Sequence, residues 1–134
     1  RAGDQALLTV LLDQLDGLPS APLQLPTPVD PRARDVATAL LDDPAVSLGH
    51  VARSVGSSRR TLERRFRAET AMTLAAWRRR ARLLRALELL ADGTSVTTTA
   101  MTVGYATPSS FVASFKAELG TTPGTFRPAQ TLQI

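Results

Sequence analysis

The sequence has no cysteine among its 134 residues and a single histidine, His50. Without thiols, a disulfide framework and a thiolate metal site are both excluded, and one imidazole cannot build a histidine cluster. Aromatic residues are scarce, with one tryptophan, one tyrosine and four phenylalanines. That scarcity argues against an RNA-binding surface built on exposed rings that stack unpaired bases. No apolar run approaches the length that spans a bilayer, so no membrane partner is expected, and no signal peptide is visible. A glycine-rich phosphate loop is also missing, and the one acidic pair, Asp42–Asp43, sits where a helix ends. No catalytic constellation is therefore present, and neither an enzyme nor a cofactor is expected. The chain begins at Arg1 rather than methionine, which reads as a fragment or a processed product.

What the sequence has in excess is arginine. The formal charge is +4 and the sequence pI is near 10.9, which points to a polyanionic partner. The placement is uneven. Residues 1–50 hold seven acids and three arginines, whereas eleven arginines between Arg53 and Arg85 face only Glu63 and Glu69. Basic charge gathered into a patch is the signal expected of a nucleic-acid binder.

The patch lies on a distinctive stretch, residues 46–70. Leu48, Val51, Ala52 and Val55 follow the i, i+3, i+4, i+7 pattern of one apolar helix face. Gly56 breaks that helix, and Ser57 or Ser58 can cap the next. In the second helix Leu62 and Phe66 face one way, while Arg60, Arg64 and Arg67 form the opposite stripe. Two short helices joined through a glycine turn, the second carrying an arginine stripe, predict a helix-turn-helix.

Around it the chain reads as follows. Residues 4–16 predict a helix with Leu7, Leu8, Leu11, Leu12 and Leu15 on a wide apolar face. Either it docks on the core of this domain, or it is a helix of a preceding domain or a dimer contact. The proline-rich stretch at 18–31 follows at once as an extended connector, which favours the second. Asp30–Pro31 opens the next helix, which runs to about Asp42 with Val36, Ala37, Leu40 and Leu41 inward, and Asp43–Pro44 ends it. Ser47 caps the helix after that. A long helix runs from Thr73 to about Ala91, closed by Asp92–Gly93. Its apolar face combines Trp77, Ala81 and Leu84 with Leu83, Ala86, Leu87 and Leu90. At about 1.5 Å per residue it is a rod of roughly 28 Å, near the ~34 Å turn of B-DNA.

Then the first pattern repeats. Ala52-x-x-x-Gly56 has its counterpart in Ala100-x-x-x-Gly104, offset by 48 positions. Val96, Thr99, Ala100 and Val103 form the apolar face. Pro108 starts a second candidate recognition helix with Phe111, Phe115 and Leu119 inward. Phe66 and Phe115 are offset by 49, so the second turn is one residue longer. Residues 120–127 read as a loop and a short closing helix, followed by a frayed tail. The expected fold is all-α, with an extra N-terminal helix ahead of two helix-turn-helix units joined by the long helix.

From about Asp30 to Arg127 the chain resembles the DNA-binding domain of AraC/XylS-type bacterial transcription regulators. The resemblance rests on SSRRTLERRFRAET at 57–70; Trp77 with Arg82, Ala86, Leu89 and Leu90; Val-Gly-Tyr at 103–105; Ser-Phe at 110–111; Phe115-Lys116; and Gly-x-x-Pro-x-x-Phe-Arg at 120–127. It implies seven helices, with recognition helices in successive major grooves. It divides the chain at residue 30, with 1–29 as the terminal helix and linker of a preceding sensor domain, 30–128 as the DNA-binding domain and 129–134 as a tail. The implied partners are double-stranded DNA and RNA polymerase, with homodimerisation through the sensor domain and a cytoplasmic location. Three departures stand out. Thr97, Thr98, Thr99 and Thr102 lower the intrinsic helicity of the second unit's first helix. Gly124 weakens the closing helix. The second recognition helix exposes Ser109, Val112, Ala113 and Lys116, where arginines or amides would read bases strongly.

By position within the matched motif, Arg60 and Arg64 are assigned to base edges, since arginine can donate two bonds to guanine O6 and N7. Glu63, between them, either accepts from cytosine N4 or orients a neighbouring arginine. Ser58 and Arg67 are assigned to phosphate, and Arg59 to phosphate or a base. In the second unit Ser109, Val112 and Ala113 are candidates for base contacts, the last two through thymine methyls. Ser110 and Lys116 are the phosphate candidates there. Small residues that merely allow close approach to phosphate are an equal reading of this helix. Charge contrast between the two helices predicts a strong first half-site and a weak second. Trp77 is placed in the core rather than against a base, and His50 on the surface of the supporting helix. Part of the run Arg78, Arg79, Arg80, Arg82 and Arg85 is expected on phosphate. The competing function is a basic helical module that meets acidic proteins, with no sequence preference and no role for Glu63.

Overall fold

The computed structural model describes residues 25–126, so the expected helix at 4–16 and the tail lie outside the described residues. Those residues are all-helical, with six α-helices, one 3-10 turn and no strand. They fall into two compact units, one spanning Gln24–Arg82 and the other taking up the chain at Leu83, part-way along the long helix.

The first unit contains α1 (Pro31–Asp42), α2 (Leu48–Ser54), α3 (Arg59–Thr70) and the start of α4 (Leu74–Ala91). Each begins where the sequence supplies a cap. The side chains of Asp30, Ser47 and Ser58 accept from the N–H groups of Ala33, His50 and Thr61, and Thr73 Oγ1 accepts from Ala76. With only seven residues, α2 is too short to persist alone. Packing holds it: Leu48, Val51 and Ala52 are buried with Ala33, Val36, Ala37 and Leu40 of α1 and with Leu62 and Phe66 of α3. Trp77 closes this core edge-on to Phe66, ring centroids 5.4 Å apart. Each of these large side chains contributes about 1.5–3 kcal/mol by leaving water.

The second unit takes the rest of α4, then α5 (Val96–Thr102), α6 (Pro108–Leu119) and a 3-10 turn at Pro123–Phe126. Leu83, Ala86, Leu87, Leu90, Ala100, Val103, Phe111, Phe115 and Leu119 are buried. A run of tilted and edge-on rings joins Tyr105, Phe111, Phe115 and Phe126 at centroid spacings of 5.1–5.7 Å.

The repeat is literal at the level of hydrogen bonds. After α2, Gly56 N–H donates to Arg53 O and Ser57 N–H to Ala52 O, which satisfies two carbonyls at the helix end. After α5, Gly104 donates to Met101 O and Tyr105 to Ala100 O, 48 residues on. Both glycines have positive φ, 70° and 98°, where a side chain is disfavoured. The next helices are capped by Ser58 and Thr107, now 49 apart, so the extra residue of the second turn is Ala106. Threonine-rich α5 forms despite its low intrinsic helicity, because Thr99, Ala100 and Val103 are buried.

The end of the proline-rich stretch packs on the first unit. Leu25 packs on the first core, Pro28 is fully buried, and Pro26 O accepts from Trp77 Nε1 at 2.8 Å. The packed body reaches back to Leu25.

Candidate nucleic-acid interface

Because Leu62, Phe66 and Thr70 turn into the core, helical geometry turns Arg60, Glu63, Arg64 and Arg67 outward, all exposed. The side chains of Arg60, Arg64 and Arg67 make no hydrogen bond or ion pair among the described residues. Glu63 Oε1 accepts from Arg59 Nε at 3.1 Å. Both side chains are more than half exposed. Such an i, i+4 pair contributes about 0.3–0.5 kcal/mol, well below the ~1–3 kcal/mol of a bidentate base contact. The pair is therefore weak enough to open.

The two serines assigned to phosphate are engaged in capping. Ser58 Oγ accepts from Thr61 N–H and donates to Thr61 Oγ1 at 2.9 Å. Ser110 Oγ donates to Thr107 O at 2.9 Å, and Ser110 N–H donates to Thr107 Oγ1. Along α6, Ser109, Ala113 and Lys116 are exposed and Val112 is half-buried. Tyr105 fixes the turn before this helix, its hydroxyl donating to Ser114 Oγ at 2.9 Å. His50 is exposed on α2 and its N–H serves the Ser47 cap.

The arginines of α4 divide by role. Arg82 Nε donates to Pro44 O at 3.1 Å, and Arg78 donates to Pro44 O at 3.3 Å and to Val46 O. These guanidiniums bind the α1–α2 loop. Burial first, then repulsion from Arg82 and Arg59, pushes Arg78 below the usual arginine range, with Asp43 opposing. Arg85 pairs with Glu88 at 3.2 Å. Helical period does not separate Arg78 and Arg82 from their neighbours, although Arg82 belongs to the matched motif. Both lie beside the apolar rows, and only the loop's course reveals the carbonyls they meet.

Sequence reasoning also passed over Glu69. Its Oε1 accepts from Val29 N–H at 2.7 Å and from Asp30 N–H at 2.9 Å, and its Oε2 lies 3.9 Å from Arg65. Arg65 also faces Asp30 at 4.0 Å. Arg65 is thus drawn toward the connector while Arg60 and Arg64 stay unpaired.

Charge follows the same division. The first unit holds twelve arginines against six carboxylates, whereas residues 83–126 hold Arg85 and Lys116 against Glu88, Asp92 and Glu118. Among the described residues no group of three or more His, Cys, Asp or Glu is placed to hold a metal, and no helix is long and apolar enough to cross a membrane.

Comparison with known proteins gives a consistent picture. A family model described as a helix-turn-helix domain matches residues 35–129. The chain is 38% identical over 117 residues to the HTH-type transcriptional regulator RipA of Corynebacterium glutamicum, covering 86% of this chain and 34% of RipA. It is 34% identical over 122 residues to the HTH-type transcriptional regulator NimR of Escherichia coli, covering 90% of this chain and 45% of NimR. The chain thus spans less than half the length of these curated relatives. Among solved structures it is similar to the DNA-binding domain of AdpA, a global transcriptional factor, in complex with a target DNA. That likeness has 32% identity and a TM-score of 0.65, covering 78% of this chain and 96% of that one. The C-terminal domain of AraT, a response regulator from Geobacillus stearothermophilus, shares the fold at 24% identity and a TM-score of 0.66, covering 73% and 84%.

Proposed function

The chain belongs to the AraC-type helix-turn-helix transcriptional regulators, and on that footing we propose that it binds double-stranded DNA by sequence, with α3 as the principal reading helix. The observation that carries this is the pair Arg60 and Arg64. They stand one turn apart on the exposed stripe of a helix whose other face is locked by Leu62 and Phe66, and no acid occupies them. Two unpaired guanidiniums on a rigid helix are pre-organised for the O6 and N7 of guanine in the major groove.

In this reading Glu63 accepts from a cytosine amino group once its exposed pair with Arg59 opens, and Arg59 and Arg67 neutralise phosphates. Ser58 offers at most a lone pair, because its proton is already directed at Thr61. Helix α6 presents Ser109, Val112 and Ala113 to bases and Lys116 to phosphate, with Ser110 held mainly by its cap. The contrast in charge makes the first half-site strong and the second weak. The 32% identical AdpA domain, solved with a target DNA, supports duplex DNA as the ligand. Action on RNA polymerase, homodimerisation through a sensor domain outside this chain, a cytoplasmic location and the lack of any enzymatic step belong to the same reading.

The test is a titration of the chain on a selected duplex and on its shuffled version across a range of salt. Reading by α3 gives a preference of at least tenfold that persists as salt weakens both complexes. Equal affinity for the two duplexes, with steep salt dependence, would instead support a basic module without sequence readout.

A further inference from the structure

The carboxylate of Glu69 stands in an unfavourable place for its own helix. It lies in the last turn of α3, where the helix dipole disfavours negative charge. Its compensation is the connector: one oxygen accepts from two successive backbone N–H groups, those of Val29 and Asp30, at 2.7 and 2.9 Å. In a capping box the N–H of the capping residue is held by a side chain three residues later. Here it is held from 39 residues away, by the reading helix. A second anchor sits a few residues earlier, where Trp77 Nε1 donates to Pro26 O at 2.8 Å while its ring packs edge-on against Phe66 of the same helix. Between the anchors Pro28 is fully buried, and its carbonyl accepts from Arg34 Nε at 3.4 Å.

We propose that residues 25–30 form a strap that positions the reading helix, with Glu69 and Trp77 as its two anchors, so that a displacement of the chain ahead of Leu25 changes DNA affinity through α3. The inference rests on the proposed DNA reading. Both anchors act on α3 directly, Glu69 as one of its residues and Trp77 through the Phe66 ring. The strap is anchored at Pro26, Val29 and Asp30, so a pull or rotation applied along the chain at Leu25 bears on α3 and on the start of α1. Linkage makes the effect reciprocal: if seating the strap favours DNA binding, DNA binding must favour seating by the same factor.

The absence of cysteine makes the test direct. Val29 is 71% exposed, so a spin label on a Val29→Cys chain reports strap mobility from a unique site. The 134-residue chain, with and without the label, is compared with Glu69→Ala, Glu69→Gln and Trp77→Phe on the duplex selected by the wild type. The strap account expects the label to loosen in Glu69→Ala and in Trp77→Phe, and the dissociation constant to rise about fivefold or more in each. Glu69→Gln, which keeps an accepting oxygen, recovers much of both effects. Exchange of the Val29 and Asp30 amide protons slows when DNA is added to the wild type. Trp77→Phe retains the ring contact with Phe66 and carries the test if Glu69→Ala fails to fold. A loosened strap with unchanged affinity in a folded variant overturns the proposal, as does a strap that stays seated in both variants. Failure of the wild type itself to prefer any duplex removes the DNA reading, and the strap's role with it.

Discussion

Ala71 and Gly120 occupy the same place in the two repeats: each follows the second helix of its pair, with φ of 62° and 77°, and each donates its N–H to a carbonyl four residues back, Arg67 and Lys116. The left-handed conformation costs a residue with a Cβ about 1–2 kcal/mol. Glycine escapes that cost and loses about 0.5–1 kcal/mol of it again to backbone entropy. Ala71→Gly is therefore expected to stabilise the first unit by about 0.5–1 kcal/mol. The measurement is the denaturant midpoint followed by fluorescence of Trp77, the sole tryptophan, which lies in that unit's core.

Thr99 has its repeat partner in Val51, and the difference between them is a buried hydroxyl. Thr99 is fully buried, and its Oγ1 has no hydrogen-bond partner. An unsatisfied buried polar atom costs about 1–3 kcal/mol, and valine and threonine have similar helix propensities. Thr99→Val is expected to stabilise the second unit by about 1 kcal/mol, read from far-UV melting of the chain.

Arg78 and Arg67 contrast an arginine that holds a loop with an exposed one proposed to meet phosphate. Arg78→Met keeps most of the stem but withdraws the donors from Pro44 and Val46. It is expected to lose about 1.5–3 kcal/mol of stability and to leave the salt slope of DNA binding unchanged. Exposed Arg67 behaves in the opposite way. Arg67→Ala stays within about 0.5 kcal/mol of wild-type stability and lowers the salt slope by roughly 0.9. Melting curves and salt titrations on both variants decide it.

Glu63 restrains its own surface. Glu63→Gln removes the negative charge that pairs with Arg59 on the exposed face of α3. Affinity for an arbitrary duplex is expected to rise, with a salt slope steeper by up to about 0.9, while discrimination at one base pair falls. A salt titration on a shuffled duplex and a competition assay with single-base variants measure the two halves of this prediction.

Most of the fold was legible because its signals are local. Caps at Asp30, Ser47, Ser58 and Thr73 start four helices, and glycines at 56, 93 and 104 end three; Ser95 and Thr107, which cap the other two, were not read from the sequence. Burial of Trp77 and exposure of Arg60 and Arg64 follow from helical period alone. The 48-residue repeat tied these pieces into two units. What stayed hidden is long-range and involves backbone carbonyls and N–H groups, which leave no trace in side-chain pattern. The donation of Arg78 and Arg82 to Pro44, the hold of Glu69 on Val29 and Asp30, and the bond from Trp77 to Pro26 all span more than 30 residues. The Ser58 cap was legible, but the commitment of its hydroxyl proton to Thr61 was not, nor was the bond from Ser110 Oγ to Thr107 O, since an exposed serine offers the same side chain to either partner.

The central claim is that α3 reads bases through Arg60 and Arg64, and the direct measurement is selection of bound duplexes from a random pool by the wild type and by Arg60→Ala. The account predicts a defined motif for the wild type, strong in one half-site and weak in the other. In the variant the preference relaxes at one or two neighbouring positions, by about 1–3 kcal/mol, and the rest of the motif persists. A wild-type motif unchanged by Arg60→Ala, or binding with no motif at all, would contradict it.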